Sequence, residues 1–119
     1  MIRTFGKALA FVIVAGTAQA EEIGDAERGE KVFHTCTSCH QIGFGAENRV
    51  GPHLNGIFGR KAGAFAEDYR YSKGLLREGE NGLVWDLRTL NAYIENPKAL
   101  VTGTRMNFPG VKEPEKRAD

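Results

Sequence analysis

The chain has 119 residues and a nearly balanced charge, with 16 basic and 15 acidic side chains and a formal net charge of +1. This balance excludes nucleic-acid binding driven by overall charge, so a charged partner would have to be recognised by a local patch. The length fits one small domain.

The first twenty residues are predicted to be a cleaved secretory signal peptide. Arg3 and Lys7 form a basic start, residues 8–15 form a short apolar run, and residues 18–20 have the A-x-A pattern of a cleavage site. The run is well short of the ~20 residues of a bilayer-spanning helix, so stable membrane insertion is not expected. Cleavage after Ala20 would leave residues 21–119 as one domain with fourteen basic and fifteen acidic residues.

Helical patterns occur along this domain, and strand alternation does not. Asp25 is a good N-cap for a first helix whose small and apolar stripe runs from residue 26 to residue 36. Gly29 within that stripe predicts the close approach of another segment. Residues 41–63 are glycine-rich and predicted to be a loop. A short helix is expected near residues 72–78.

The second half of the chain carries a clearer helical signal. Asp86 is placed to cap a helix with Leu87, Leu90, Tyr93 and Ile94 on one face. Pro97 is expected to end this helix, because helices usually stop before the residue that precedes a proline. Residues 113–119 are predicted to begin a further helix, with a proline in its first turn.

The segment Cys36-Thr37-Ser38-Cys39-His40 has the C-x-x-C-H spacing of a covalent haem attachment site. Two thiols three residues apart on a helical turn can add across the two vinyl groups of one haem, and the adjacent histidine can reach the iron. A structural zinc site needs about four ligands, and the second pair, His34 and His53, lacks the usual spacing. A redox dithiol belongs near a βαβ pattern, which this sequence does not show. The motif therefore favours haem.

A second axial ligand would decide what such a haem does. Met106 is the one methionine outside the leader, and it lies in a glycine- and proline-rich segment with no periodic reason to be a core residue. A thioether ligand raises the reduction potential and closes the iron to oxygen, which favours electron transfer. His34 is too near the attachment site to reach the opposite haem face, and His53 is expected on the same side as His40. Ligation by two histidines stays open as the lesser alternative.

Residues 24–112 resemble a bacterial class I cytochrome c of the soluble, mitochondrial-like group. Apart from the haem motif, each matching segment is weak alone, but together and in this order they are highly specific. They are Gly24-Asp25 with Gly29 and Phe33, Cys36-x-x-Cys39-His40, Gly51-Pro52-His53-Leu54-Asn55-Gly56-Ile57-Phe58-Gly59-Arg60, Tyr69-x-Tyr71-Ser72, Trp85, Tyr93-Ile94-Glu95-Asn96-Pro97 and Gly103-Thr104-Arg105-Met106. The resemblance implies an all-α cytochrome c fold, in which short helices and glycine-rich loops wrap around one covalent haem c and its iron.

The resemblance also implies a role for individual residues. His40 and Met106 would be the axial ligands, and Pro52 would offer its carbonyl to the ring N–H of His40. Buried haem propionates need hydrogen-bond donors or a cation; the residues implied for that role are Tyr71, Trp85 and Arg60. Tyr93 would lie near the Met106 sulfur, and Phe108 against the exposed haem edge.

The function implied by the resemblance is electron transfer in the periplasm, not catalysis. The donor would be a quinol–cytochrome c oxidoreductase or a periplasmic dehydrogenase, and the acceptor a terminal oxidase or a photosynthetic reaction centre. Docking would use a sparse set of basic residues around the haem edge, with candidates Arg49, Lys61, Lys98, Arg105 and Lys112. The alternative from another class is a haem enzyme or gas-binding protein with an open sixth coordination site, and a third reading is a non-functional fragment of a cytochrome gene.

One departure from the family pattern concerns the last residues. Family members have an amphipathic helix of about a dozen residues here, which crosses the first helix, whereas this sequence contains only its beginning up to Asp119. Truncation of that helix would leave Gly29, Val32 and Phe33 without an apolar cover. A monomer is expected, with self-association if the last helix is absent, because exposed apolar patches favour association.

Overall fold

A computed structural model describes residues 6, 8–16 and 24–119. The predicted cleavage site at residues 18–20 and the basic residues Arg3 and Lys7 lie outside the described residues. The apolar run at residues 8–15 is described and has no helix, and its large side chains, including Leu9 and Phe11, are exposed. No residue of this run therefore belongs to the described core.

Helices joined by long loops form the described part of the chain. They are α1 (Ala26–Phe33), α2 (Lys73–Glu80), α3 (Leu87–Glu95), α4 (Pro97–Leu100) and α5 (Pro114–Ala118). The described residues contain no strand, and the bridge between Lys61 and Val84 is isolated. No helix among them has the length and apolarity needed to cross a bilayer. The prediction of an all-α fold is confirmed.

Side-chain caps fix where α1 and α2 begin, and the cap at Asp25 was predicted. The Asp25 carboxylate accepts a hydrogen bond from the backbone N–H of Arg28, and the Ser72 hydroxyl accepts one from the N–H of Leu75. Such a bond satisfies one of the N–H groups that the first turn of a helix leaves unpaired. At its other end, α1 stops at Phe33, three residues before the predicted stripe ends, and the chain continues in successive turns.

The start of α3 is a reciprocal capping box. The Asp86 carboxylate accepts from the Thr89 backbone N–H at 2.8 Å, and the Thr89 hydroxyl accepts from the Asp86 N–H at 2.9 Å. The bond from the Thr89 N–H to the charged carboxylate lowers the pKa of Asp86 below its ordinary value. A carboxyl group whose pKa is lowered by folding stabilises the fold above its unfolded pKa, and this contribution is lost as the pH falls through the folded pKa.

We therefore expect the Asp86 cap to weaken in acid. Asp86→Ser keeps a neutral oxygen acceptor but removes the charge, so the variant should melt at a lower temperature than the parent at pH 7. The difference between the two melting temperatures should shrink as the pH falls below about 4, where the carboxylate becomes protonated. Thermal unfolding of both proteins across this range tests the expectation, which is wrong if the difference stays constant.

The chain turns at Asn96 and immediately begins another short helix. Pro97 ends α3 as predicted, but it is also the first residue of α4, which the sequence reading did not foresee. The Asn96 side chain accepts from the Ala99 N–H at 3.3 Å and so caps α4. Proline fits the first helical position because its missing N–H would have no helical partner there. This turn leads into Val101, which is fully buried.

The core is small and lies between α3 and the loop that precedes α2. Ala62, Trp85, Tyr93 and Val101 form its buried cluster. Backbone hydrogen bonds hold residues 59–62 against 83–85, including Ala62 N–H to Leu83 O at 2.9 Å. Met106 packs against this cluster and is itself only partly buried.

Helix α5 lies against α1 and α3. A Cβ atom at Gly29 would overlap the Asp119 main chain, so the predicted close approach at this glycine is confirmed. The Arg28 guanidinium adds two bonds to the Asp119 carboxylate, at 2.9 and 3.0 Å. Val32 and Phe33 are half-buried. The expectation that all three α1 residues lack cover is therefore wrong for Gly29, and the two apolar side chains are only partly exposed.

Candidate haem site

The C-x-x-C-H segment forms a compact turn directly after α1. The Cys36 N–H bonds to Phe33 O at 2.8 Å, and the His40 N–H reaches back to Cys36 O at 2.9 Å. Cys36 and Cys39 are both free thiols and half-buried. One turn of helical hydrogen bonding thus fixes the spacing of two unpaired thiols and the following imidazole.

The hydrogen bond of His40 determines which ring nitrogen can bind a metal. Its Nδ1 lies 2.7 Å from the Pro52 carbonyl oxygen. A carbonyl oxygen can only accept, so Nδ1 carries the proton and donates. In the neutral ring the lone pair is then on Nε2, the nitrogen that points away from the bond. His40 is therefore prepared as a neutral Nε2 ligand with a fixed ring orientation.

Gly51 forms the surface against which the His40 ring packs. Gly51 is buried, and a Cβ built on it would lie 2.7 Å from Nδ1 and 2.8 Å from Nε2 of His40, well inside van der Waals contact. The Gly51 N–H also donates to Cys39 O at 2.9 Å, which ties this loop to the attachment turn. Only glycine allows the backbone to approach the ring this closely.

Three of the other candidate residues meet in the core. Trp85 and Tyr93 are buried, with ring centroids 4.9 Å apart, and Met106 packs on the cluster they belong to. The Tyr93 hydroxyl lies 2.6 Å from the Thr104 hydroxyl, two residues before Met106. Burial raises the pKa of the Tyr93 phenol, so it stays protonated at neutral pH. The part of the core around Trp85, Tyr93 and Met106 is therefore apolar, except for the Tyr93 and Thr104 hydroxyls, which bind each other.

Tyr71 and Arg60, the other two residues predicted to bind the propionates, differ in burial: Tyr71 is buried and Arg60 is exposed. Tyr71 is buried, its oxygen accepts the Ala66 N–H at 2.9 Å, and burial raises its pKa. Arg60 is exposed, and its Nε donates to the Gly56 carbonyl at 3.3 Å. The Arg60 backbone oxygen nevertheless accepts the Trp85 N–H at 2.9 Å, which fixes the position of its Cα beside the core.

Phe65 is a site residue that the sequence reading missed. Its ring lies edge-on to His53 at 6.0 Å and tilted against Tyr71 at 6.2 Å. It also packs against the core cluster that contains Trp85, so it lies between that cluster and the loop that carries His53. Phe65 belongs to an irregular loop without helical periodicity, so no pattern in the sequence marks it as a core residue.

The two competing histidines, His34 and His53, differ in burial. His34 is exposed on the turn after α1. His53 is half-buried, and its Nδ1 accepts the Asn55 N–H at 3.3 Å. The His53 ring also packs edge-on against Phe65, with the ring centroids 6.0 Å apart.

A surface groove of about 460 Å³ opens on one side of His40. Its walls include Phe33, His34, Ile42 and Phe44, but not Trp85, Tyr93 or Met106. The lining of this groove therefore includes His40 but none of the core cluster that Met106 contacts.

The described residues suit a large flat apolar group. Only six hydrophobic residues among them are buried, and α1 has none, which is little for a domain of this size. Further apolar side chains stand half-buried around the core cluster: Ile57, Phe65, Leu75, Leu83, Leu90, Leu100 and Met106. These apolar side chains, together with two free thiols and a histidine whose Nδ1 is bound to the Pro52 carbonyl, fit a covalently attached haem.

Comparison with known proteins agrees with this chemistry. The family model described as "Cytochrome c" matches residues 26–115. The chain belongs to the cytochrome c family. It is 52% identical to cytochrome c2 of Afifella marina over 87 residues, 73% of this chain and 69% of that protein. It is 45% identical to cytochrome c-554 of Methylosinus trichosporium over 116 residues, 98% of this chain and 83% of that protein.

Solved structures show the same relationship. Cytochrome cH from Methylobacterium extorquens matches with a TM-score of 0.73 and 43% identity, over 81% of this chain and 92% of the other. Cytochrome c2 from Rhodospirillum centenum matches with a TM-score of 0.76 and 34% identity, with the same coverage. The chain is therefore an electron carrier of this family and not an enzyme; it holds one covalent haem c and exchanges electrons with redox-partner proteins.

Proposed function

We propose that this protein is an exported periplasmic carrier, residues 21–119 after removal of the leader, with its haem iron held between His40 and Met106. The observation that carries this proposal is the bond from His40 Nδ1 to the Pro52 carbonyl at 2.7 Å. It leaves Nε2 free for iron directly beside two free thiols. The redox chemistry belongs to the haem, while the chain binds it, orients the ligands and excludes water.

The packing of Met106 supports its role as the second ligand. It is half-buried against the cluster that contains Trp85 and Tyr93. Tyr71 and Trp85, both buried here, would hold the haem propionates, with the Arg60 guanidinium at the surface. Phenol, indole and guanidinium groups all donate hydrogen bonds to carboxylates.

The partners that suit this carrier are a quinol–cytochrome c oxidoreductase or a periplasmic dehydrogenase as donor, and a terminal oxidase or reaction centre as acceptor. Among the candidate docking cations, Arg49 pairs with Glu47 at 3.0 Å and Lys61 with Glu80 at 2.8 Å. A cation paired with its own carboxylate attracts an acidic partner less. Lys98 and Arg105 lie at exposed positions and are the better candidates for contacts at the haem edge.

Intact-mass spectrometry of the exported protein tests the attachment chemistry. We expect a chain that begins at Glu21 and carries one haem that survives acid denaturation, with neither Cys36 nor Cys39 open to alkylation. Replacing both cysteines with serine is the matched control and should leave haem that acidic solvent extracts. A wild-type chain without added mass, or with two reactive thiols, would contradict the proposal.

A further inference from the structure

Asn48 lies in the loop that carries the His40 partner, and its side-chain amide makes two hydrogen bonds. Its Oδ1 accepts the backbone N–H of His53 at 3.0 Å, and its Nδ2 donates to the Glu67 carbonyl at 2.7 Å. The partners fix the orientation of the amide, because an N–H must face the oxygen and a carbonyl must face the nitrogen. Asn48 is half-buried between these two loops.

The N–H that Asn48 binds belongs to a peptide unit already used by the site. The Pro52 carbonyl and the His53 N–H are the two ends of one planar trans peptide, so they point in opposite directions. His40 Nδ1 binds the carbonyl end at 2.7 Å, and Asn48 Oδ1 binds the N–H end at 3.0 Å. This one peptide is therefore held at both ends.

The bonds form a continuous chain from the Glu67 carbonyl through the Asn48 amide and this peptide to the imidazole of His40. Successive hydrogen bonds polarise one another, so each bond strengthens the next. A peptide whose N–H is bound has a more negative carbonyl oxygen and is a stronger acceptor. A stronger acceptor at Nδ1 makes the imidazole a better electron donor at Nε2.

We propose that Asn48 is a positioning residue that sets the electron-donating strength of His40 toward the haem iron. The proposal rests on His40 being an axial ligand, as argued above. Stronger donation stabilises the oxidised iron, so Asn48 holds the reduction potential below the value it would have without this bond.

The loop has other attachments that should keep it in place without Asn48. The Gly51 N–H donates to Cys39 O at 2.9 Å, the Arg49 N–H donates to Gly51 O at 2.8 Å, and the Tyr69 hydroxyl donates to Val50 O at 2.7 Å. Asn48→Ala should therefore fold with haem attached. Asn55 provides a matched control: its amide bonds to both the N–H and the carbonyl of Gly43, each at 2.8 Å, but to neither end of the Pro52–His53 peptide.

The experiment compares Asn48→Ala, Asn48→Asp and Asn55→Ala as holoproteins. At a fixed ambient potential, Asn48→Ala should raise the ratio of reduced to oxidised haem about threefold, which is about 30 mV at 59 mV per tenfold change for one electron. Asn48→Asp loses the bond to the Glu67 carbonyl but offers a charged, stronger acceptor to the His53 N–H, and it should shift the ratio the other way. In the reduced protein, the proton resonance of His40 Nδ1–H should move upfield in the alanine variant and downfield in the aspartate variant.

A residue that only clamps two loops would behave differently. Both Asn48 variants would then loosen the loop that carries Pro52 and so lower the reduction potential. Asn55→Ala, which also removes bonds between two loop segments, would do the same. The inference is overturned if the alanine and aspartate variants shift the potential in the same direction, or if the Nδ1–H resonance does not move. Absence of covalent haem from the wild-type protein would instead contradict the proposed function.

Discussion

Replacing Met106 with alanine is expected to leave the haem attached and to lower its reduction potential by on the order of a few tenths of a volt, within the ~0.8 V range that axial ligands set. Attachment persists because Cys36 and Cys39 are untouched. The potential falls because a thioether ligand favours reduced iron and an open or water-filled site does not. Redox titration measures the fall, and the visible spectrum of the reduced variant under carbon monoxide shows whether the sixth position has opened.

The same measurement decides between Met106 and the histidines. Carbon monoxide should leave the wild-type spectrum unchanged and alter that of Met106→Ala. His34→Ala and His53→Ala are the controls and should retain the wild-type potential and resistance to carbon monoxide. An unchanged spectrum in Met106→Ala would assign the sixth position to another residue. Binding of carbon monoxide by the wild-type protein would instead favour the haem enzyme or gas-binding alternative.

The sequence predicted helix starts correctly where a short polar residue stands directly before a helical pattern. Asp25 and Asp86 were recognised as helix caps, and each caps its helix, because a short polar side chain before an apolar stripe has few other roles. The family assignment, the all-α class and the covalent haem also followed from local spacing and ordered motifs.

The rest of the core could not be read from periodicity. Ala62 and Val101 are almost completely buried, yet both lie in segments without a helical stripe. Their burial depends on how the chain turns at distant points, such as the α4 turn that Asn96 caps after Pro97. Pro97 was expected only to stop a helix, because the sequence pattern does not show whether another begins at the same residue.

Around His40, one contact was predicted from the sequence and another was not. Its contact with Pro52 was anticipated through the family resemblance and not through spacing. Asn48 had no signal at all, since a single asparagine in a loop is usually a solvated turn residue. Its importance appears only when the fold places its amide on the peptide that His40 binds.

Gly51→Ala is expected to be among the most damaging single substitutions in this chain. The added methyl group would overlap the His40 ring, with 2.7 Å to Nδ1 and 2.8 Å to Nε2 before any adjustment. The ring cannot retreat without losing its bond to the Pro52 carbonyl, and the Gly51 backbone is tied to Cys39 O. Overpacking alone costs about 1–3 kcal/mol, and a displaced His40 would lose its ligand geometry as well.

The expected result is a sharp fall in the yield of folded holoprotein and, in what remains, an altered haem spectrum. Gly43→Ala separates this steric effect from ordinary backbone strain, because Gly43 has a φ of +97° and a Cβ there would meet nothing within 4 Å. The control should lose only about 1–2 kcal/mol, the usual cost of a left-handed alanine, and keep the wild-type spectrum. Denaturant unfolding and the haem spectrum of both variants provide the comparison. If Gly51→Ala behaves like Gly43→Ala, the His40 ring has room to move and the Gly51 contact does not fix its position.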